Sequence, residues 1–242
     1  MESPNQVSLD LNKCKTGATS STFVENSTPK MSKAMFLAGF VCGFIALVFT
    51  VISFSSPYWL QSYPSIKSEF VRLGLWEICF DDYVHPLDYN SKAYDGCWWV
   101  FSPELHPIRQ WLTPDWFISV QVLITLAFLL QMVNVVITSM NLLKCCGREM
   151  GFTINLVCSL MSIGSSVLFG ISVLIFGVKS EKRDWMPRPD QNFLSWSFGL
   201  AVLSGFFSTF AGLFLLAAAR DVITKKRKAK KDPHAYPMAP RL

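Results

Sequence analysis

The sequence predicts a membrane protein that is mainly α-helical: four spanning helices that carry a small antiparallel β-sheet on one side of the bilayer. Three observations predict it. Four runs, residues 34–66, 116–143, 150–178 and 192–219, contain no Asp, Glu, Lys or Arg, and all 39 charges lie between or outside them. The chain is 51% hydrophobic and 16% charged, against about a quarter charged in soluble domains. A long polar interval, residues 57–115, follows the first run and holds two cysteines among short β-favouring stretches. A bilayer core of about 30 Å needs about 20 apolar helical residues, and each run is long enough. Charge-free runs of this length read as membrane spans rather than as helices buried in one soluble core.

In order along the chain, residues 1–33 form a polar cytoplasmic tail with four lysines and several Ser and Thr. With no apolar h-region it reads as disordered, not as a signal peptide. Residues 34–56 are the first span, ended by Pro57. Residues 57–115 are the first extracellular loop, and residues 116–143 the second span. Residues 144–149 form a cytoplasmic turn, and residues 150–178 the third span. Residues 179–191 are the second extracellular loop, residues 192–219 the fourth span, and residues 220–242 a basic, disordered cytoplasmic tail.

Orientation follows from Lys and Arg placement. The two tails and the short turn hold 14 of these residues and the two loops hold eight, so both termini are expected in the cytoplasm. Asn26, in an Asn-Ser-Thr sequon, is then expected to stay unglycosylated. The KKRKAKK run at residues 225–231 acts as a stop-transfer signal and attracts anionic inner-leaflet lipid, at about 1 kcal/mol per basic residue. Placed directly after a span, it does not read as a nucleic-acid site.

Of seven cysteines, Cys42 and Cys158 fall inside spans, as small apolar packing residues. Cys14, Cys145 and Cys146 face the reducing cytoplasm. Cys145 and Cys146 follow the second span, the usual setting for S-palmitoylation, with free interfacial thiols as the plain alternative. Only Cys79 and Cys97 lie in an oxidising compartment, which permits one intramolecular bridge or an intermolecular one. His85 and His106 are not at ligand spacing from them, so no metal is expected.

The first loop holds three β-favouring runs: residues 69–73 (EFVRL), 75–80 (LWEICF) and 97–101 (CWWVF). Turn formers separate them, at Gly74, Asp81-Asp82, Pro86, Asn90-Ser91 and Asp95-Gly96. So small a sheet has too little core to hold itself. A Cys79–Cys97 bridge would contribute about 3 kcal/mol in the chain-entropy model. Trp59, Trp76, Trp98, Trp99, Trp111 and Trp116 supply packing area and interfacial anchoring.

Trp59, then Gly74-Leu75-Trp76, then Cys79 and Cys97, then Arg109 just before the second span, set in a tetraspan chain, resemble the claudin superfamily, which includes the epithelial membrane proteins and peripheral myelin protein. The resemblance covers residues 34–219. It implies a left-handed four-helix bundle whose extracellular sheet comes mainly from loop one, with one strand from loop two. It also implies a Cys79–Cys97 bridge within the sheet, and Trp59, Trp76 and Arg109 packing the sheet onto the bundle. Three features depart from the tight-junction claudins: the long interval between the cysteines, a short second loop rich in charge and proline, and the ending AYPMAPRL. Pro at the third-last position disfavours strand addition to a PDZ domain. The departures look more like invertebrate claudin-like proteins of septate junctions, or a divergent epithelial-membrane-protein relative.

The implied function is a cell–cell junction protein contributing to paracellular barrier and adhesion. Membrane lipids and other claudin-like or junction membrane proteins would be its partners, in homo- or hetero-oligomers. The alternative is an auxiliary or trafficking subunit of a channel, receptor or adhesion complex in the same membrane. The first loop carries net charge −4, and Asp81, Asp82, Asp88 and Asp95 cluster in it as candidates for a cation-favouring lining. Gly39 and Gly43 on the first span, and Ser204, Ser208 and Gly212 on the fourth, are small-residue stripes suited to close helix packing. Gln121, Thr125, Gln131, Asn134 and Thr138 on the second span read as interhelical hydrogen-bonding groups. The spans contain no ionisable Asp, Glu, Lys, Arg or His, which argues against a coupled transporter. His85, His106 and His234 are isolated, no nucleophile set or phosphate loop is present, and neither an enzyme nor a cofactor is expected.

Overall fold

The computed structural model describes residues 30–65, 68–86, 91–143, 151–183 and 185–231. Asp88, Cys14, Asn26, Cys145, Cys146, His234 and the C-terminal ending lie outside the described residues. Four long helices carry the apolar runs: α1 (Lys30–Ser55), α3 (Asp115–Leu142), α4 (Gly151–Ser180) and α5 (Trp196–Lys231). A short helix α2 (Arg109–Leu112) follows a 3-10 turn (Pro103–Ile108) in the first loop. Helix α1 packs on α5 and α3, and α4 packs on α3 and α5, which closes the bundle into a ring.

The bundle buries polar side chains among its apolar ones and turns large apolar side chains outward. Gln131, Asn134, Ser162 and Ser204 are buried, while Leu129, Val136, Leu160, Leu174 and Phe206 are exposed. A soluble core sorts residues the opposite way. All four helices are long and apolar enough to cross a membrane, and in lipid the drive for association is close packing and interhelical hydrogen bonds.

The sheet has five antiparallel strands, β1 (Leu60–Ser62), β2 (Phe70–Leu73), β3 (Glu77–Val84), β4 (Ala93–Trp99) and β5 (Asn192–Leu194), in the order β4-β3-β2-β1-β5. Four come from the first loop and β5 from the second. Asn192–Leu194 belongs to a charge-free run, yet pairs with β1 through Leu60–Leu194 and Ser62–Asn192 and is not helical. Absence of charge marks a span only where the backbone is not already hydrogen-bonded to a sheet edge, so the last helix starts at Trp196.

Two turn assignments are corrected. Asp81-Asp82 and Asp95-Gly96 lie inside β3 and β4, not between strands. The register runs Phe80 to Gly96 and then Tyr83 to Tyr94. Two residues of β3 therefore oppose Asp95 alone, a β-bulge. Asp82 (φ 53°) and Gly96 (φ 84°) take the positive angles the bulge requires, which Asp tolerates and Gly adopts freely. The long inter-cysteine interval is thus a hairpin that continues outward past the bulge.

Sheet and bundle share one core. Trp59, Phe70, Leu73, Leu75, Ile78 and Phe80 from the sheet side are continuous with Phe117, Ile124, Phe169 and Phe176 of the helices.

Candidate functional site

The end of the bundle that carries the sheet is built outward from α1. Pro57 stops the helix, since it has no N–H to donate, and the chain turns at once into Tyr58-Trp59. The Trp59 N–H bonds Leu73 O at 2.9 Å, and its carbonyl accepts from Ser195 N at 3.0 Å. Its indole is fully buried, donates to Ser53 O at 2.9 Å, and meets Phe176 and Phe198 edge-on at 5.0 and 5.7 Å. One residue thus ties α1, β2 and the start of α5 together.

The Gly74-Leu75-Trp76 segment crosses directly over the α1 exit. A Cβ at Gly74 would stand 2.5 Å from Ser56 O and 2.6 Å from Pro57 Cα. Both are backbone atoms with no room to move, so the position requires glycine. Leu75 is buried, and its carbonyl accepts from Gln121 Nε2 on α3 at 2.5 Å. Trp76 is half-buried against Phe54 of α1 at 5.2 Å, and its carbonyl accepts from Val100 N at 2.8 Å. Arg109 donates through Nη2 to Phe101 O and Ser102 O at 3.2 and 3.1 Å, holding the chain beyond β4 to the start of α2. Trp59, Gly74, Leu75 and Trp76 therefore lie where the sheet is seated on the helices, whereas Arg109 braces the loop after β4 through Phe101 O and Ser102 O.

Cys79 and Cys97 are directly opposed in the β3–β4 register and form a disulfide. Arg72 of β2 approaches it, with Nε 3.2 Å from Cys79 Sγ, and its guanidinium stacks over Tyr58 at 4.8 Å. Glu77 comes near the two sulfurs, all three groups lying within 4.8 Å of one another. Sulfurs bonded to each other offer no thiolate, so this trio is not a zinc-type ligand set.

Asp81, Asp82 and Asp95 are exposed and brought together by the bulge. His85 is buried beside them in sequence but not in role: its Nδ1 pairs with Tyr83 Oη at 2.9 Å, and its ring lies 4.7 Å from Trp111. Burial, and secondarily the Glu69 charge, push the Tyr83 phenol up to about 12.

Within the bundle, a Cβ at Gly39 would meet Leu215 Cγ at 2.9 Å, and one at Gly212 would meet Ile163 Cγ1 at 2.7 Å. Gly43 has looser neighbours, at 3.8 Å. Ser204 and Ser208 accept from Gln131 Nε2 at 3.0 and 2.7 Å, and Thr50 donates to Gln131 Oε1 at 2.6 Å. Asn134 donates to Ser162 at 2.8 Å. Thr125 and Thr138 instead bond carbonyls of their own helix.

Sequence reasoning missed Trp185. It sits in the charge-rich second loop, is buried, donates to Leu112 O at 3.2 Å and meets Trp116 edge-on at 4.5 Å. A tryptophan among so many charges was the available signal. β1 was also missed, because three residues carry no alternation to read.

A search of the curated proteins finds no match. The family model described as PMP-22/EMP/MP20/Claudin tight junction matches residues 44–217, which run from the middle of α1 through both loops and the seat between them into α5, and the chain belongs to that family.

Proposed function

We propose that this protein works at cell–cell contacts, with both termini cytoplasmic and the sheet extracellular, contributing to a paracellular barrier and to adhesion, in the manner of septate- or tight-type junctions. The description of the matching family names the tight junction. The observation that carries the reading is the shared core beneath a disulfide-bonded hairpin. It holds β3 and β4 at a fixed attitude to the membrane, as a surface must be held to meet a copy on another cell. A disulfide persists in an oxidising compartment, and the Lys and Arg distribution agrees.

Lateral association with other claudin-like or junction membrane proteins belongs to the same proposal, as does acylation at Cys145 and Cys146. The clustered Asp81, Asp82 and Asp95, with Asp88 outside the described residues, would bias the gap toward cations. Screening over about 8 Å at physiological salt keeps that bias weak.

The test is imaging of the tagged protein in a polarised epithelium, with tracer flux measured after its removal. Lateral confinement together with leakage supports the proposal. A diffuse distribution, with stoichiometric recovery of another membrane protein, favours an auxiliary subunit instead.

A further inference from the structure

Arg72, Cys79 and Cys97 form one row across the sheet. The register sets Arg72 of β2 opposite Cys79 of β3, and Cys79 opposite Cys97 of β4. Directly opposed residues share a face, so the guanidinium and the disulfide lie side by side. The two ends of the row differ. On the Cys79 side the sheet continues through β2, β1 and β5, whereas β4 is an edge strand, with no strand beyond it among the described residues. Cys79 is 2% exposed, and Cys97 is exposed.

A thiolate opens a disulfide by attacking one sulfur on the side turned away from the other. For Cys97 that side faces the open edge of the sheet. For Cys79 it faces β2, where Arg72 Nε already stands 3.2 Å from the sulfur. The geometry therefore gives the bond a direction: Cys97 can be attacked, and Cys79 is the sulfur that leaves.

Arg72 is in place before any reaction. It stacks over Tyr58 at 4.8 Å and donates through Nη1 to Tyr58 Oη. Nε and Nη2 are left for Cys79 Sγ at 3.2 Å and Cys97 Sγ at 3.5 Å. A neutral sulfur is a weak acceptor, so this fork adds little to the oxidised pair. A thiolate carries a full charge, and a charge-assisted bond is roughly twice as strong as a neutral one. A neighbouring Arg lowers a thiol's pKa, and the lower that pKa, the faster the sulfur leaves. Glu77 opposes this, because its Oε1 lies 3.7 Å from Cys79 Sγ and its charge disfavours a thiolate there. Arg72 stands closer and reaches both sulfurs, so the balance favours release.

We propose that the Cys79–Cys97 disulfide is a thiol-exchange site, at which a small thiol attacks Cys97 and Cys79 leaves as a thiolate against Arg72. The incoming sulfur bonds to Cys97 Sγ, the Cys79–Cys97 bond breaks, and its electron pair departs on Cys79. A second thiolate then attacks the small thiol's sulfur in the mixed disulfide, which frees Cys97 and yields the oxidised dimer of the thiol. Each freed protein sulfur takes up the proton that its attacker gave to water. Two electrons thus pass from two small thiols to the protein, and β4 loses its covalent tie to β3. The exchange depends on the fold alone, and its effect on cell contacts rests on the junction reading above.

The test uses the purified full chain in detergent, without denaturant, treated with reduced glutathione at about pH 8, where thiolate is available, and quenched with acid at intervals. Peptide mass spectrometry under non-reducing conditions then locates the glutathione. The first product is expected to carry glutathione on Cys97 and a free thiol at Cys79. Arg72→Gln should slow its formation about fivefold, and Glu77→Gln should speed it about threefold. A purely structural brace would behave in the opposite way, because losing Arg72 would loosen the sheet and hasten reduction. Arg72→Lys, which keeps the charge, should recover part of the lost rate. Glutathione found first on Cys79, no reaction until denaturant is added, or both neutral variants reacting like the wild type would each overturn the proposal. Reduction by a thioredoxin-type dithiol protein but not by glutathione would also overturn it, by assigning the step to a protein reductant.

Discussion

Gly74 and Gly43 look alike in the sequence and differ in what surrounds them. At Gly74 an added methyl meets fixed backbone at 2.5 and 2.6 Å, whereas at Gly43 the nearest atoms are at 3.8 Å. Gly74→Ala should destabilise the fold by about 3 kcal/mol or more, and Gly43→Ala should leave it unchanged, as thermal unfolding in detergent would show. Comparable losses at both positions would contradict the seat described here. Tyr83 gives a second residue-scale prediction. Its phenol is held neutral in the fold and titrates near 12 rather than 10. The stability it contributes is complete below pH 10 and declines as pH rises from 10 toward 12. Phenolate absorbance should therefore show a late-titrating tyrosine in the native protein that is missing from Tyr83→Phe and that titrates normally once denaturant unfolds the chain. The tryptophans were visible as anchors in the sequence, but Trp59 as the joint of three elements was not. That role depends on Leu73, Ser195 and Ser53, which are brought to it only by folding.

At the scale of elements, the helices were legible because exclusion of charge over two dozen residues has few other causes. The sheet was legible in part. EFVRL and LWEICF held enough alternation and β-branching to be read, whereas the three-residue β1 exists through its pairing with β2 and β5, and β5 through its pairing with β1. Asp81-Asp82 and Asp95-Gly96 have turn chemistry, and they use it for a bulge because Cys79–Cys97 and Tyr83–Tyr94 pin the strands on both sides. The disulfide closes a span of 18 residues, and replacing both cysteines by serine should cost about 3 kcal/mol. Hydrogen exchange should report the loss first in β3 and β4. The Gln131 network with Thr50, Ser204 and Ser208 ties α3 to α1 and α5. Gln131→Leu should cost only about 1 kcal/mol, because a helix separated in the membrane finds other polar partners. An unfolding measurement showing several kcal/mol would mean the network governs assembly.

For the whole molecule, the sequence announced the architecture through the order of its parts: span, Trp59, Gly74-Leu75-Trp76, two cysteines, Arg109, span. The cleft lined by Ser55 and Trp76 was not announced, because the two are separated along the chain and come together only where the sheet returns over the end of α1. The molecule is a membrane helix bundle, with polar side chains buried among apolar ones, that holds a cross-linked sheet at one end. That arrangement separates the cysteines into two chemical classes, and labelling of intact cells with a membrane-impermeant maleimide reads both at once. The account predicts no labelling of the wild-type protein until an impermeant reductant is added, and then labelling at Cys79 and Cys97 alone. Labelling at Cys145 or Cys146 in intact cells, or at Cys79 and Cys97 before reduction, would contradict it.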